Sequence, residues 1–368
     1  MKILYVTTVS GTTNFFISHV NMLIDQGHSV DFACNVNKPI NQSLLDRGCR
    51  VFQIDFSRSP LDLSNMRAYK EIKALIIREK FDIIHVHTPV AAAVTRLAIK
   101  NIPKVKVIYT AHGFHFYKGA PLKNWLLYYP VEKYLSKHTD VLITINQEDY
   151  ERAKRKFKAR QIEYVPGVGI DINKFQNVAV DKEKKRVELG ISKDAYVMVS
   201  VGELIRRKNH SAVIKALKKV NNPKITYIIC GRGPLKDRLD SLVEKLELDT
   251  QVKLLGYRTD IPEILKVSDL FVLPSFHEGL PVAFMEAMIS GLPVICSKIR
   301  GNTDLILEEK GGYLVEPNDI YGFASAIKKI ISNQEKSKEF VQYNKERIIE
   351  FSDDRVLERM DEIYSENI

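Results

Sequence analysis

Pro274-Ser-Phe-His-Glu278-Gly-Leu-Pro-Val-Ala-Phe-Met-Glu286-Ala-Met-Ile-Ser-Gly291-Leu-Pro293 is the stretch around which the chain is organised. The apolar run before it, Asp269-Leu-Phe-Val-Leu273, reads as a buried parallel strand that stops at Pro274. A short loop follows. Pro281 suits the first turn of a helix running to about Ser290, and Gly291 caps it. Glu278 then lies on the loop before the helix and Glu286 on its second turn. Two carboxylates thus bracket a helix N-terminus, whose free N–H groups and positive dipole end suit a phosphate.

A phosphate alone does not want two carboxylates beside it. A sugar nucleotide does, because hydroxyls flank its phosphates and carboxylates accept hydrogen bonds from hydroxyls. Spacing alone is equally met by a strand–turn–helix unit with surface glutamates. The surrounding residues add more. Glu278-Gly279-Leu280-Pro281, then Glu286-Ala-Met288, then Gly291-Leu-Pro293 resembles the E-x7-E motif of family 4 glycosyltransferases, which have the GT-B fold.

The chain has 368 residues, enough for two ordinary domains, and its 45% hydrophobic and 27% charged content is that of a globular protein. Cys34, Cys49, Cys230 and Cys296 lack metal or disulfide spacing, which points to a reducing cytoplasm. The chain opens directly on a strand, so no signal peptide is expected, and no apolar run approaches the roughly 20 residues of a membrane span. The net charge of +10 is uneven. Residues 1–180 hold 25 Lys+Arg against 15 Asp+Glu, and residues 181–368 hold 30 of each. The first half could therefore meet an anionic surface, although a solubilising bias reads equally well cluster by cluster.

Short apolar strands alternate with amphipathic helices throughout. Strands are predicted at 3–7, 29–34, 51–54, 83–87, 105–111, 141–144 and 162–165, and then at 196–201, 226–230, 252–255, 270–273, 294–296 and 312–315. Near-continuous apolar runs separated by helices argue for parallel sheets covered on both faces. Thirteen strands are too many for one compact sheet, so two Rossmann-like α/β domains are predicted. The polar stretch 173–185 reads as the boundary, giving domains of about 1–175 and 176–350. The last segment, 351–368, contains a helix at about 354–364. The resemblance implies that this helix crosses back onto the first domain and that the two domains face each other across a cleft.

Ligands of doubly wound sheets bind beyond the carboxyl ends of the strands, and the remaining motifs fall at such ends. Gly11 follows the first strand, where a glycine lets the chain turn tightly near a phosphate; a plain turn fits as well, and the dinucleotide fingerprint is absent. A helix is expected over 15–26. His85 alternates with the apolar face and reads as structural, whereas His87 is nearer the strand end. His112 follows the fifth strand. It matches the histidine that family members place against the donor sugar, where it could donate to a hydroxyl or steady developing charge. Phe114, Phe116, Tyr117 and Lys118 suit an acceptor or membrane contact. The basic run 151–160 reads as a solvated helix face or a membrane-facing patch. No nucleic-acid module appears.

In the second half, Lys208 matches the family lysine that holds the diphosphate. Glu203 stands where relatives often have an arginine, a contact that Arg206 or Arg207 could replace. Gly231-Arg-Gly233-Pro234 and the segment around Arg258 correspond to the family's nucleobase turns, with the glycines admitting a flat base. Gly301-Asn302 carries no assigned ligand role.

The resemblance implies a retaining glycosyltransferase using a nucleotide-diphosphate sugar. Glu278 holds the sugar hydroxyls, Glu286 the ribose, Lys208 and Arg207 the diphosphate, and His112 the sugar. Gly279, Leu280 and Pro281, at the helix entry, bind the nucleotide sugar. No Asp-x-Asp pair occurs, so neither a metal nor another cofactor is expected. The 110–119 and 166–171 runs look most like bacterial capsule and exopolysaccharide enzymes. The basic first half and the 114–118 segment suggest a lipid-linked saccharide acceptor, used by a cytoplasmic protein peripheral at the inner membrane face, and a UDP-sugar is the expected donor. An epimerase or hydrolase of the same fold, and a non-catalytic assembly protein, are the other readings.

Overall fold

A computed structural model describes residues 1–367. It contains two compact units, one formed by Met1–Gly169 with the closing helix Asp353–Ser365, the other by Ile170–Ser352.

The first unit holds a seven-stranded parallel sheet. Its strands are β1 (Lys2–Val9), β2 (Ser29–Asn35), β3 (Val51–Gln53), β4 (Ile83–His87), β5 (Lys106–Ala111), β6 (Val141–Thr144) and β7 (Gln161–Tyr164), in the order β3-β2-β1-β4-β5-β6-β7. Every residue of β4 is buried, because helices cover both faces and leave no polar side. Leu4, Val6, Ile84 and Val86 face one apolar core, and Ile3, Tyr5 and Ile83 face the other. The second core also takes Val356, Met360, Ile363 and Tyr364 from the closing helix, whose apolar stripe is thereby buried within this unit.

The second unit holds β8 (Tyr196–Val201), β9 (Ile225–Cys230), β10 (Val252–Gly256), β11 (Leu270–Leu273), β12 (Val294–Ser297) and β13 (Gly312–Val315), all parallel, in the order β10-β9-β8-β11-β12-β13. In both sheets the strand order reverses beside the first strand, between β1 and β4 and between β8 and β11. Loops leaving such neighbours diverge to opposite sides and open a crevice at their carboxyl ends. This is the GT-B type of architecture, with two Rossmann-like α/β domains.

Two local expectations are corrected. The segment after β1 is first a 3-10 helix, Ser10–Phe16, and only then an α-helix, Ile17–Asp25. Thr12 and Thr13 hydroxyls donate to the carbonyls of Val9 and Ser10, three residues back, at 2.6 and 2.7 Å, which favours the tighter turn. Phe114 and Phe116 are core residues, not a docking surface. Their rings stack at 4.8 Å and pack with Trp125, Tyr129 and Phe157. Burial of that much aromatic area outweighs any gain from exposure.

Candidate functional site

In the second unit the predicted residues come from the carboxyl ends of four adjacent strands. After β8 the chain turns through a 3-10 helix, Arg206–Lys208. Asn209 then takes a left-handed conformation, φ 54°, and its amide donates to the carbonyls of Pro274 and Pro317 at 3.0 and 2.8 Å. This pins the β8 loop to the β11 loop. Phe276 N–H donates to the Arg207 carbonyl at 2.8 Å, a second clamp.

The two loops meet at Glu278. Lys208 Nζ donates to its Oε1 and Arg207 Nη1 to its Oε2, each at 2.8 Å. Arg207 also donates to the His277 carbonyl at 2.9 Å. Glu278 is buried, which on its own raises a carboxyl; the Lys208 ammonium and Arg207 guanidinium outweigh that and hold it below the usual carboxylate range. The result is a buried carboxylate held ionised between two cations. Arg206 and Glu203 are exposed, so Arg207 is the arginine brought to this site.

Glu286 lies in the helix Val282–Ile289, with Pro281 at its N-cap. It is half-buried, and its carboxyl is pushed up by burial, opposed by Lys174. An acceptor held in partial burial, with no bonded cation among the described residues, suits neutral hydroxyl donors. Leu280 and Pro281 are buried and fix the helix entry.

Gly231 and Gly233 follow β9, but the reason for glycine is internal. A Cβ on Gly231 would lie 1.9 Å from the Gly202 carbonyl oxygen, and one on Gly233 would lie 2.5 Å from that of Leu204. The β9 turn, continuing through Pro234, is packed against the β8 loop backbone to backbone. Arg258, after β10, is engaged by Asp260 at 2.8 Å and Glu188 at 2.9 Å.

The Glu278 loop is supported from behind by Gly301 and Arg300, which the sequence does not single out. Gly301 has φ 79°, and a Cβ there would meet the Gly279 carbonyl oxygen at 2.3 Å. Buried Arg300 lies 2.6 Å from His277 Nε2 through Nη2. The signal available was Gly301 directly after an arginine, beyond a strand end.

In the first unit, Gly11, His87 and His112 lie at the ends of the adjacent strands β1, β4 and β5. Gly11 is not required by turn geometry: its φ is not positive, and a Cβ would meet only Lys38 Cδ at 3.6 Å. His85 is structural, as its alternation indicated, with Nδ1 2.6 Å from the Tyr364 hydroxyl and Nε2 2.8 Å from Thr110 Oγ1. His112 is half-buried, and desolvation lowers its pKa to about 4. Its Nε2 lies 3.1 Å from Nδ1 of His87. His19 is buried nearby, lowered to about 4 by burial and then by His112, and neither ring nitrogen has a hydrogen-bond partner among the described residues.

Residues 2–146 match the family model described as Glycosyl transferase 4-like, and residues 181–347 match Glycosyl transferases group 1. The chain is 35% identical over 371 residues to EpsD of Bacillus subtilis (strain 168), named provisionally as a glycosyltransferase, covering 99% of this chain and 96% of that one. It belongs to the family 4 glycosyltransferases. The chain is also 31% identical, over 89% of its length and 86% of the relative's, to an Escherichia coli UDP-Gal:alpha-D-GlcNAc-diphosphoundecaprenol alpha-1,3-galactosyltransferase. Among solved structures, Anabaena HepE in complex with UDP superposes with a TM-score of 0.83 at 21% identity over the whole of both chains. Sucrose-phosphate synthase of Thermosynechococcus elongatus gives 0.83 at 20% over 100% of this chain and 98% of that one. These likenesses establish the GT-B fold. No helix among the described residues of this glycosyltransferase is long and apolar enough to cross a membrane.

Proposed function

We propose that this glycosyltransferase moves a sugar, with retention, from a uridine diphosphate sugar to a hydroxyl of a lipid-linked saccharide during synthesis of a bacterial surface polysaccharide. The observation that carries this reading is the Lys208–Glu278–Arg207 cluster at the strand-order reversal of the second sheet. A carboxylate kept ionised between two cations offers acceptors for sugar hydroxyls beside fixed positive charge for a diphosphate. The relatives support the finer terms. HepE was solved with UDP and with UDP-glucose, and the Escherichia coli relative takes UDP-Gal to a diphosphoundecaprenol-linked sugar.

In this reading Glu278 holds the sugar hydroxyls and His112 donates to the sugar. Glu286 holds the ribose, and Gly231, Gly233, Pro234 and Arg258 line the base. Gly279, Leu280 and Pro281 place the helix entry, and Gly11 borders the phosphates. Lys208 and Arg207 take the charge of the leaving diphosphate without a metal ion. The acceptor oxygen bonds to C1 on the face from which the diphosphate departs. The C1–O bond breaks toward the diphosphate, and the acceptor proton passes to the leaving phosphate oxygen.

An anionic membrane surface fits the helix Leu122–Leu135. Leu122, Leu126, Leu127, Val131 and Tyr134 are exposed on it, with Leu122 at 73% and Leu126 at 70%. Exposed Lys118, Lys123, Lys133 and Lys137 lie on or beside it. Its one acidic residue, Glu132, is buried and paired with Arg96 at 2.7 Å. Apolar side chains ringed by lysines, with no exposed acid on the helix, suit a peripheral seat on the inner leaflet.

The test is a panel of nucleotide sugars assayed by thermal shift and product analysis, with the native protein and Glu278→Gln. The expected result is one UDP-sugar that stabilises the native protein and is consumed only when a polyprenyl-diphosphate saccharide is supplied. Turnover without an acceptor, or binding of no nucleotide sugar, would overturn the reading.

A further inference from the structure

His19, His85, His87 and His112 lie close together in the first unit, and only His112 has been given a role toward the substrate. His87 is buried at the end of β4, its ring stacked on Phe16 at 4.1 Å. Its Nδ1 meets His112 Nε2 at 3.1 Å, while its Nε2 is buried with no partner among the described residues. The next residue, Thr88, holds φ 59° and ψ 136°, a conformation that a β-branched side chain resists. Three bonds hold it there. Thr88 Oγ1 donates to the His87 carbonyl at 2.6 Å, Thr8 N–H donates to Thr88 Oγ1 at 3.0 Å, and the two threonine hydroxyls lie 2.8 Å apart. These bonds hold the strained backbone that directly follows His87, while the stack on Phe16 and the contact with His112 place its ring.

Burial lowers both rings, His112 to about 4 and His87 well below its ordinary value, so both are neutral at neutral pH. A neutral imidazole carries one N–H. If His112 donated from Nε2, the single N–H of His87 would be stranded at its buried Nε2. If His87 donates from Nδ1, only a lone pair is buried there, and His112 keeps its N–H at Nδ1. Orphaned buried N–H groups are the rarer kind of unsatisfied group, so the second arrangement is favoured. His85 cannot substitute, because both its nitrogens are taken, by Tyr364 and Thr110.

We propose that His87 is a positioning residue: its Nδ1–H fixes His112 as the Nδ1–H tautomer, so that His112 meets the donor sugar with a hydrogen-bond donor instead of a bare lone pair. This rests on the reading that His112 touches the donor. Ring-selective 1H–15N correlation spectra of the labelled native protein test the tautomer directly. The expected result is a proton on Nδ1 of His112, and a proton on Nε2 would overturn the proposal.

Kinetics separate positioning from packing. His87→Asn keeps an amide donor near the Nδ1 position and should retain kcat within about threefold. His87→Gln shifts the donor and His87→Leu removes it, and each should lower kcat about tenfold or more with little change in donor KM. In a His112→Ala background, His87→Leu should cost nothing further. An equal loss in both backgrounds would make His87 merely structural and overturn the proposal. Full activity of His112→Ala would instead sink the reading of His112 beneath it, whatever the spectra show.

Discussion

Lys208 Nζ donates to Glu278 Oε1 at 2.8 Å across 70 residues of sequence, joining the loop after β8 to the loop after β11. The contact lies at the reversal of strand order, where a doubly wound sheet opens. With Arg207 it makes one carboxylate serve two cations. Removing the carboxylate should therefore be felt in two ways. Glu278→Gln leaves two cations facing a neutral group and should cost about 1–3 kcal/mol of stability at pH 7. It should also lower kcat about a hundredfold or more while free UDP binds no more weakly. Denaturant melts and UDP titration of the purified variant check both halves.

Glu286 should behave in the opposite sense. Its folded-state pKa is raised by burial. The stability it contributes is thus present below the ordinary carboxylate range and lost as pH rises through the raised value. At neutral pH the ionised side chain is a burden, so Glu286→Gln should raise Tm by about 2 °C. Nucleotide-sugar affinity should fall in the same variant, as measured by calorimetry.

Acid should destabilise the protein earlier than its carboxylates alone imply. His19, His112 and His210 are each lowered to about 4, chiefly by burial, from an ordinary 6.5. Unfolded chains take up these protons first. The stability present above pH 6.5 should therefore decline as pH falls toward 4. His19 has no hydrogen bond among the described residues, so His19→Leu should add about 1 kcal/mol at pH 7 and flatten that decline. Urea unfolding from pH 4 to 7.5 reads it out.

Gly231→Ala should damage the second unit without touching a charged residue. The new Cβ would fall 1.9 Å from the Gly202 oxygen, and both partners are backbone. Separating the β8 and β9 loops should cost about 2–3 kcal/mol and weaken nucleotide binding with it. Thermal melts with and without UDP measure the two effects.

Much of this was legible in the sequence because parallel strands covered on both faces leave near-continuous apolar runs, and β11 and its following helix fall where such a run and Pro281 placed them. Glu278, Lys208 and His112 were legible as types of residue at strand ends. Their partners were not. Nothing in the order of residues says that Arg207 and Lys208 share one carboxylate, or that Gly231 is glycine because another backbone lies against it. The aromatic run at 114–117 misled, since an exposed and a buried phenylalanine read alike until Trp125, Tyr129 and Phe157 are brought around them. His87 escaped notice as a partner because its contact with His112 spans two strands.

If Lys208 and Glu278 grip an activated sugar between them, UDP calorimetry on Lys208→Ala reads the grip on its diphosphate. The expected result is a UDP Kd raised about tenfold or more over the native protein, with no dependence on added divalent metal or chelator. A Kd unchanged by the substitution would contradict it.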